Sequence, residues 1–184
     1  MSNVYVPRAG YAVINGDVTR PINEGSRSII IPHIVNDAGN DVGRWGSDVA
    51  KAITNRWGEA PRQRYREWFR GKNMIDSSDV LFNEIPAPFK LGRVQFVRVP
   101  NHILIASMVA QYKVKKDGDN APIRYEALID CMRQIRSLAK NINADIDAPK
   151  FGAVLSGGNW DFIEELIWEM WVNHGINVTI YEFA

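Results

Sequence analysis

The sequence predicts one α/β domain: a three-layer α/β/α sandwich around a mixed, mostly parallel sheet of about six strands. Three observations predict it. Strand-like and helix-like segments alternate along most of the chain. Two strand-like runs, 29–35 and 103–110, are apolar nearly throughout, as strands covered on both faces are. The chain has 184 residues, 46% hydrophobic and 23% charged, the balance of a globular unit that buries a core without a disulfide or metal staple.

The elements follow in order. Tyr11–Asn15 reads as a short strand closed by Gly16-Asp17. In the 29–35 strand Pro32 has no N–H for a ladder, so a bulge or an unpaired side is expected there. Residues 36–46 carry Gly39, Gly43 and Gly46 and read as a loop. Val49, Ala52, Ile53 and Trp57 mark a helix over 47–57, stopped by Gly58. Pro61 opens a second helix with Tyr65, Trp68 and Phe69 on its apolar side, ended by Gly71. Residues 72–90, with Pro86 and Pro88, have weak periodicity and read as an insertion in a single 1–184 domain. Val94, Phe96 and Val97 to Val99 form a strand that turns at Pro100-Asn101 into the 103–110 strand. The 113–120 stretch is polar and exposed. Tyr125, Leu128, Met132, Ile135 and Ala139 stripe a helix, and 146–151 is a short strand. A glycine loop over 152–159 leads into a last helix striped by Trp160, Ile163, Ile167, Met170 and Trp171. Gly175 ends that helix, and Ile176, Val178, Ile180 and Tyr181 form the final strand.

Composition narrows the function. Twenty-two Lys and Arg against 21 Asp and Glu leave a net charge of +1, so the whole molecule supplies no field for a polyanion. The Arg56, Arg62, Arg64, Arg66, Arg70 and Lys72 cluster is interleaved with Trp57, Tyr65, Trp68 and Phe69, a pattern that can track a nucleic-acid strand. Those aromatics fall at core spacing, so nucleic acid is not expected as a partner. Cys131 is the single cysteine, and His33, His102 and His174 are scattered. No disulfide framework, metal or cofactor is expected. The N-terminus has no basic segment leading into an apolar stretch, and no run approaches the ~18 apolar residues of a membrane span. A soluble cytoplasmic protein is expected.

The glycine loops 36–47 and 152–160 each leave a strand and run into a helix N-terminus. Such loops present backbone N–H groups without intrahelical partners, and the helix dipole favours an anion there. Two of them could clasp a diphosphate. Asp48 and Asp161, Glu164 and Glu165 already complement the two helix starts, so the grip would rest on loop amides. Neither a P-loop motif nor a G-x-G-x-x-G fingerprint is present.

Three segments carry a resemblance. Asn15-Gly16-Asp17-Val18-Thr19 resembles a "G-D-I-T" element. Ile30-Ile31-Pro32-His33-Ile34-Val35-Asn36-Asp37-Ala38-Gly39, continuing to Gly43-Arg44-Trp45-Gly46-Ser47, resembles a first ligand loop. Ala148-Pro149-Lys150-Phe151-Gly152-Ala153-Val154-Leu155-Ser156-Gly157-Gly158-Asn159-Trp160 resembles "P-R-I-G-x-G-L-A-G-G-D-W". In this order they resemble the macrodomain family over roughly residues 11 to 183. The third segment is similar to the branch holding the yeast ADP-ribose 1″-phosphate phosphatase and phage proteins of like length; for a phage protein the compartment would be the host cytoplasm.

The resemblance implies ADP-ribose or ADP-ribose 1″-phosphate as the ligand. Asp17, with Val18 beside it, would read the adenine amino group. Asn36 and Asp37 would lie by the distal ribose. Gly43, Trp45, Gly46 and Ser47 would wrap the diphosphate and ribose, and Leu155, Ser156, Gly157, Gly158 and Asn159 would close the other side. The residues alone also allow Asp17 as a turn former and Asn159 as a helix N-cap.

Phosphate removal needs a positioned water and an acid or base. His33 and Asp37 are the catalytic candidates, with a packed strand histidine as the alternative for His33. Ser156 lacks a base nearby in sequence and is read as a hydrogen-bond donor. A hydrolase branch that frees ADP-ribose from glutamate uses a Lys and an Asp where Gln111 and Ser156 stand here, so that chemistry is expected to be lost. The expected activity is a hydrolase of ADP-ribose 1″-phosphate. The alternatives are a non-catalytic module for ADP-ribose or an NAD-derived metabolite, and an ADP-ribosyl-protein hydrolase.

Overall fold

The computed structural model describes residues 10–37, 45–71, 88–112, 121–153 and 157–183. The elements are β1 (Tyr11–Asn15), β2 (Ile29–Asn36), α1 (Asp48–Trp57), α2 (Ala60–Phe69), β3 (Val94–Val99), β4 (Ile103–Gln111), α3 (Tyr125–Ile142), β5 (Asp145–Pro149), α4 (Trp160–Met170) and β6 (Val178–Glu182). A 3₁₀ turn, Val172–His174, follows α4.

The six strands form one sheet in the order β1-β6-β5-β2-β4-β3. Every pair is parallel except β3 with β4. Alternation along the strands sorts the side chains into two cores. Ile30, Leu104, Ala106, Ile146, Ala148 and Ile180 face α3 and α4. Ile29, Ile31, Val35, Ile103, Ile105 and Val109 face the other way, onto Ile53 of α1 and Tyr65 and Trp68 of α2. The result is the expected three-layer sandwich. Each fully buried isoleucine contributes about 1.5–3 kcal/mol through area removed from water.

Local chemistry sets the helix ends. Ser47 caps α1, its Oγ accepting from Ala50 N at 3.1 Å. Gly58, at φ 80°, closes α1 with its N–H on Thr54 O, a backbone position that favours glycine. The aromatics among the arginines are core: Tyr65 is 2% and Trp68 4% exposed. Phe89 packs edge-on against Tyr65, Trp68 and Phe69. The end of the expected insertion is therefore docked on α2, while 72–87 lie outside the described residues, as do 113–120.

Several boundaries differ from the sequence reading. β5 begins at Asp145 and stops at Pro149, where residues 146–151 were expected. Its polar start is hidden in sequence because Asp145 is a buried acid, neutralised by Arg27 at 2.8 Å. β6 begins at Val178, since Ile176 is used in the turn before it. The irregularity expected at Pro32 takes the second of its two forms. The β2–β4 ladder is regular through Pro32 and shifts register only between Val35 and Asn36. On its other side β2 pairs with β5 at Ile29 and Ile30 alone. The Ile29 N–H bonds His102 O ahead of β4, so alternation turns the Pro32 nitrogen toward β5, just past the end of that ladder. Among the described residues no helix is long and apolar enough to cross a membrane.

Candidate functional site

The site follows from strand order. β1, β6, β5, β2 and β4 run parallel, so their carboxyl ends share one edge of the sheet. The chain leaves β2 toward β4 by way of α1 and α2, on one face. It leaves β5 toward β6 by way of α4, on the other face. The boundary between β2 and β5 is thus a topological switch point, the place where open α/β sheets bind ligands. Their ladder ends at Ile30 and Ile146, although β2 runs on to Asn36 and β5 to Pro149. The flanks of both glycine loops border this break. At its floor an added Cβ on Gly152 would stand 3.4 Å from Ile34 Cδ1 of β2 and 2.8 Å from Ile163 Cδ1 of α4.

The turn leaving β1 carries Asp17 and Val18. Asp17 Oδ1 accepts from Thr19 N at 2.9 Å and Thr19 Oγ1 at 2.7 Å, which is an Asx turn. Oδ2 stands outside both bonds. Val18 is fully buried beneath the turn. Gly16 N bonds Glu182 O at 2.8 Å, which ties the turn to the end of β6.

On the β2 side, Asn36 is 8% exposed and its carbonyl accepts from Tyr65 Oη at 3.4 Å. Asp37 N bonds Gln111 O at 2.9 Å, and its side chain is half-buried. Trp45 is buried. Its Nε1 donates to Thr54 Oγ1 at 2.9 Å, and its ring meets His33 edge-on with centroids 5.0 Å apart. Gly46 is exposed and Ser47 spends its hydroxyl on the α1 cap. Gly43 lies outside the described residues. His33 is 2% exposed; Nε2 sits 2.9 Å from Ser107 Oγ and Nδ1 has no partner among the described residues. Burial pushes its pKa down to about 4, so it is neutral at physiological pH.

On the β5 side, Leu155 and Ser156 lie outside the described residues. Gly157 stands at φ 67° and is exposed. Gly158 N donates to Gly152 O at 2.7 Å, and Asn159 N donates to Tyr125 Oη at 2.8 Å. Asn159 Oδ1 accepts from Phe162 N at 3.4 Å, capping α4. Two of the loop's amides are therefore already satisfied. Gly157 N–H meets no acceptor among the described residues.

Some neighbours escaped the sequence reading. Tyr125, read as helix packing, holds the loop by its hydroxyl and sets its ring 4.8 Å from Phe162. Lys150, just past β5, lies over Trp160 at 5.2 Å and 3.4 Å from Glu182 Oε1. Phe183, the residue after the Glu182 that bonds Gly16 N, is 52% exposed. Lys150 and Phe183 follow different strands and Tyr125 opens α3, and only the packed fold brings them to one edge of the sheet.

Chemically, the edge offers a free carboxylate oxygen at Asp17, an exposed aromatic ring, glycine backbone and a half-buried acid at Asp37. Among the described residues no group of three His, Cys, Asp or Glu could hold a metal ion.

No family model matches the chain. Among curated proteins, chromodomain-helicase-DNA-binding protein 1-like of Mus musculus is 32% identical over 173 residues, covering 92% of this chain and 17% of that protein. Its Danio rerio counterpart is 28% identical over 168 residues. The chain spans less than a fifth of the length of these curated relatives. Among solved structures, a protein of unknown function from Bacteroides thetaiotaomicron is 32% identical, with TM-score 0.77 over 93% of this chain and 96% of that one. A macrodomain protein from Streptomyces coelicolor is 30% identical, with TM-score 0.72 over 95% of this chain and 99% of that one. Thermosipho africanus DarTG, solved in complex with ADP-ribose, shares the fold at TM-score 0.65 and 14% identity, over 93% of this chain and 41% of that one.

Proposed function

This chain belongs to the macrodomain family, and on that premise we propose that it binds ADP-ribose across the carboxyl edge of its sheet and hydrolyses a derivative such as ADP-ribose 1″-phosphate. The observation that carries the reading is the ladder that stops after Ile30 and Ile146, flanked by both glycine loops. The ADP-ribose bound to Thermosipho africanus DarTG, on the same fold, supports the choice of ligand.

In this reading Asp17 Oδ2 accepts the adenine amino group, with Val18 packed beneath. Asn36 and Asp37 face the distal ribose. Gly43, Trp45, Gly46 and Ser47 on one side, and Leu155, Ser156, Gly157, Gly158 and Asn159 on the other, enclose the diphosphate. With the Gly158 and Asn159 amides engaged internally, Gly157 and the rest of the loop supply the donors. Asp37 positions the attacking water. His33, neutral and buried, supports Trp45 and Ser107 from below; the proton traffic falls to Asp37.

A second reading, binding without turnover, is favoured by Gln111 and Ser156 standing where one hydrolase branch has Lys and Asp. Calorimetry with ADP-ribose, paired with phosphate release from ADP-ribose 1″-phosphate, separates the two: heat without phosphate means a binder. Melting curves with ADP-ribose, AMP and ribose 5-phosphate test the ligand itself. Selective stabilisation by ADP-ribose is expected, and its absence overturns the proposal. Asp17→Ala is expected to weaken ADP-ribose by about tenfold, the loss of one charge-assisted hydrogen bond at roughly 1.5 kcal/mol.

A further inference from the structure

Beneath the Asp17 turn lies a buried polar chain that neither the loops nor the proposed chemistry uses. The Tyr181 hydroxyl donates to Asp147 Oδ2 at 2.9 Å and accepts from Ile22 N at 3.1 Å. Asp147 is 4% and Tyr181 2% exposed, while Ile22 sits on the surface at 49%. The N–H of Ile22, in the Pro21–Glu24 turn that directly follows the Asp17 turn, is thus fastened through Tyr181 to a carboxylate inside the sheet. The other fastenings of this stretch are Gly16 N on Glu182 O at 2.8 Å, at the end of β6, and on the α1 side the part-exposed Arg56 Nε on Thr19 O at 3.3 Å and Arg56 on Glu24 at 2.7 Å.

Among the described residues no cation pairs with the carboxyl of Asp147. Burial raises its pKa to about 7, the bond from Tyr181 opposes that rise, and Asp145 on the same face adds to it. Asp145 is itself neutralised by Arg27. A buried acid and hydroxyl stabilise a fold little compared with apolar residues of the same shape, so their value lies in what they hold.

Resting on the reading of Asp17 as the adenine reader, we propose that Asp147, acting through Tyr181, is a positioning residue for base selection: it fixes the turn that carries Asp17. It touches no ligand. Loss of the latch lets the turn shift and takes away the distinction between adenine and a base without the amino group.

Wild type and the Tyr181→Phe, Asp147→Ala and Asp147→Asn variants are titrated at pH 8 with ADP-ribose and with its hypoxanthine counterpart, and Ile22 amide exchange is followed in the free proteins. Wild type is expected to prefer ADP-ribose about tenfold, and Tyr181→Phe and Asp147→Ala to keep roughly a twofold preference, with Ile22 exchanging faster. Asp147→Asn retains an acceptor oxygen and restores the preference. Tyr181→Phe keeps the packed ring and so reports even if Asp147→Ala does not fold. An unchanged preference in Tyr181→Phe, or an equal loss for both ligands, overturns the latch and leaves ADP-ribose binding intact. A wild type that binds neither ligand overturns the ADP-ribose reading and the latch with it.

Discussion

Gly158→Ala is the sharpest test of how the second loop is built. A Cβ at residue 158 would stand 2.5 Å from Gly152 O, 3.1 Å from Ile123 Cδ1 and 3.2 Å from Ile163 Cδ1. The two isoleucine methyls can rotate aside. The carbonyl is backbone, and it already accepts from Gly158 N at 2.7 Å. Relieving the clash therefore moves 157–159 away from 152 and breaks that bond. Overpacking costs about 1–3 kcal/mol, and the lost bond adds about 1 kcal/mol. For a domain of this size each kcal/mol lowers Tm by about 2–4 °C, so a fall of roughly 5–15 °C is expected in calorimetry. Gly58→Ala is the control: it has φ 80° and ψ −164° but nothing within 4 Å of its Cβ, so only backbone strain of about 1–3 kcal/mol applies. The reasoning fails if Gly158→Ala melts with wild type or loses no more than Gly58→Ala.

Other outcomes follow from single groups. Asp147, with its pKa raised to about 7, stabilises the fold when protonated, so its contribution is full below the ordinary carboxylate range and is lost as pH rises toward 7. His33, lowered to about 4, stabilises when neutral, so its contribution is full above its ordinary value and is lost as pH falls toward 4. The two slopes oppose each other between those limits. Urea midpoints across that window should rise with pH in Asp147→Asn and fall with pH in His33→Gln; parallel profiles would contradict the burial argument. Ser47→Ala removes the α1 cap and should cost about 1 kcal/mol in denaturant titration of the free protein. Cys131, buried and pushed up to about 12 by desolvation, should resist thiol reagents in the native protein and react after unfolding.

Local signals were legible in part to the residue. The apolar period placed Tyr11–Asn15 and the start of the last helix at Trp160, but α4 stops at Met170, and a 3₁₀ turn fills the stretch to Gly175 that was read as helix. Ser47, read as the first residue of the helix, is its N-cap, and Asn159 is the N-cap that the residues alone allowed. Both glycine loops fall beyond parallel strands. Less was legible where polar residues go inside. Asp145 and Asp147 sit in a strand with every residue buried, and a strand read by hydrophobicity begins one residue late. His33 was open in sequence between a ligand-facing and a packed side chain; register puts it against Ser107 and Trp45.

By itself the sequence determined the succession of strands and helices, the caps and the turn at Asp17, because each depends on residues a few positions apart. Tertiary structure alone decided that β2 and β5 lie side by side with a ladder cut short after Ile30, that Gly158 tucks against the Gly152 carbonyl, and that Tyr181 joins Ile22 to Asp147. Strand order and buried partners are set by which faces the crossing helices cover, and that is a property of the packed whole.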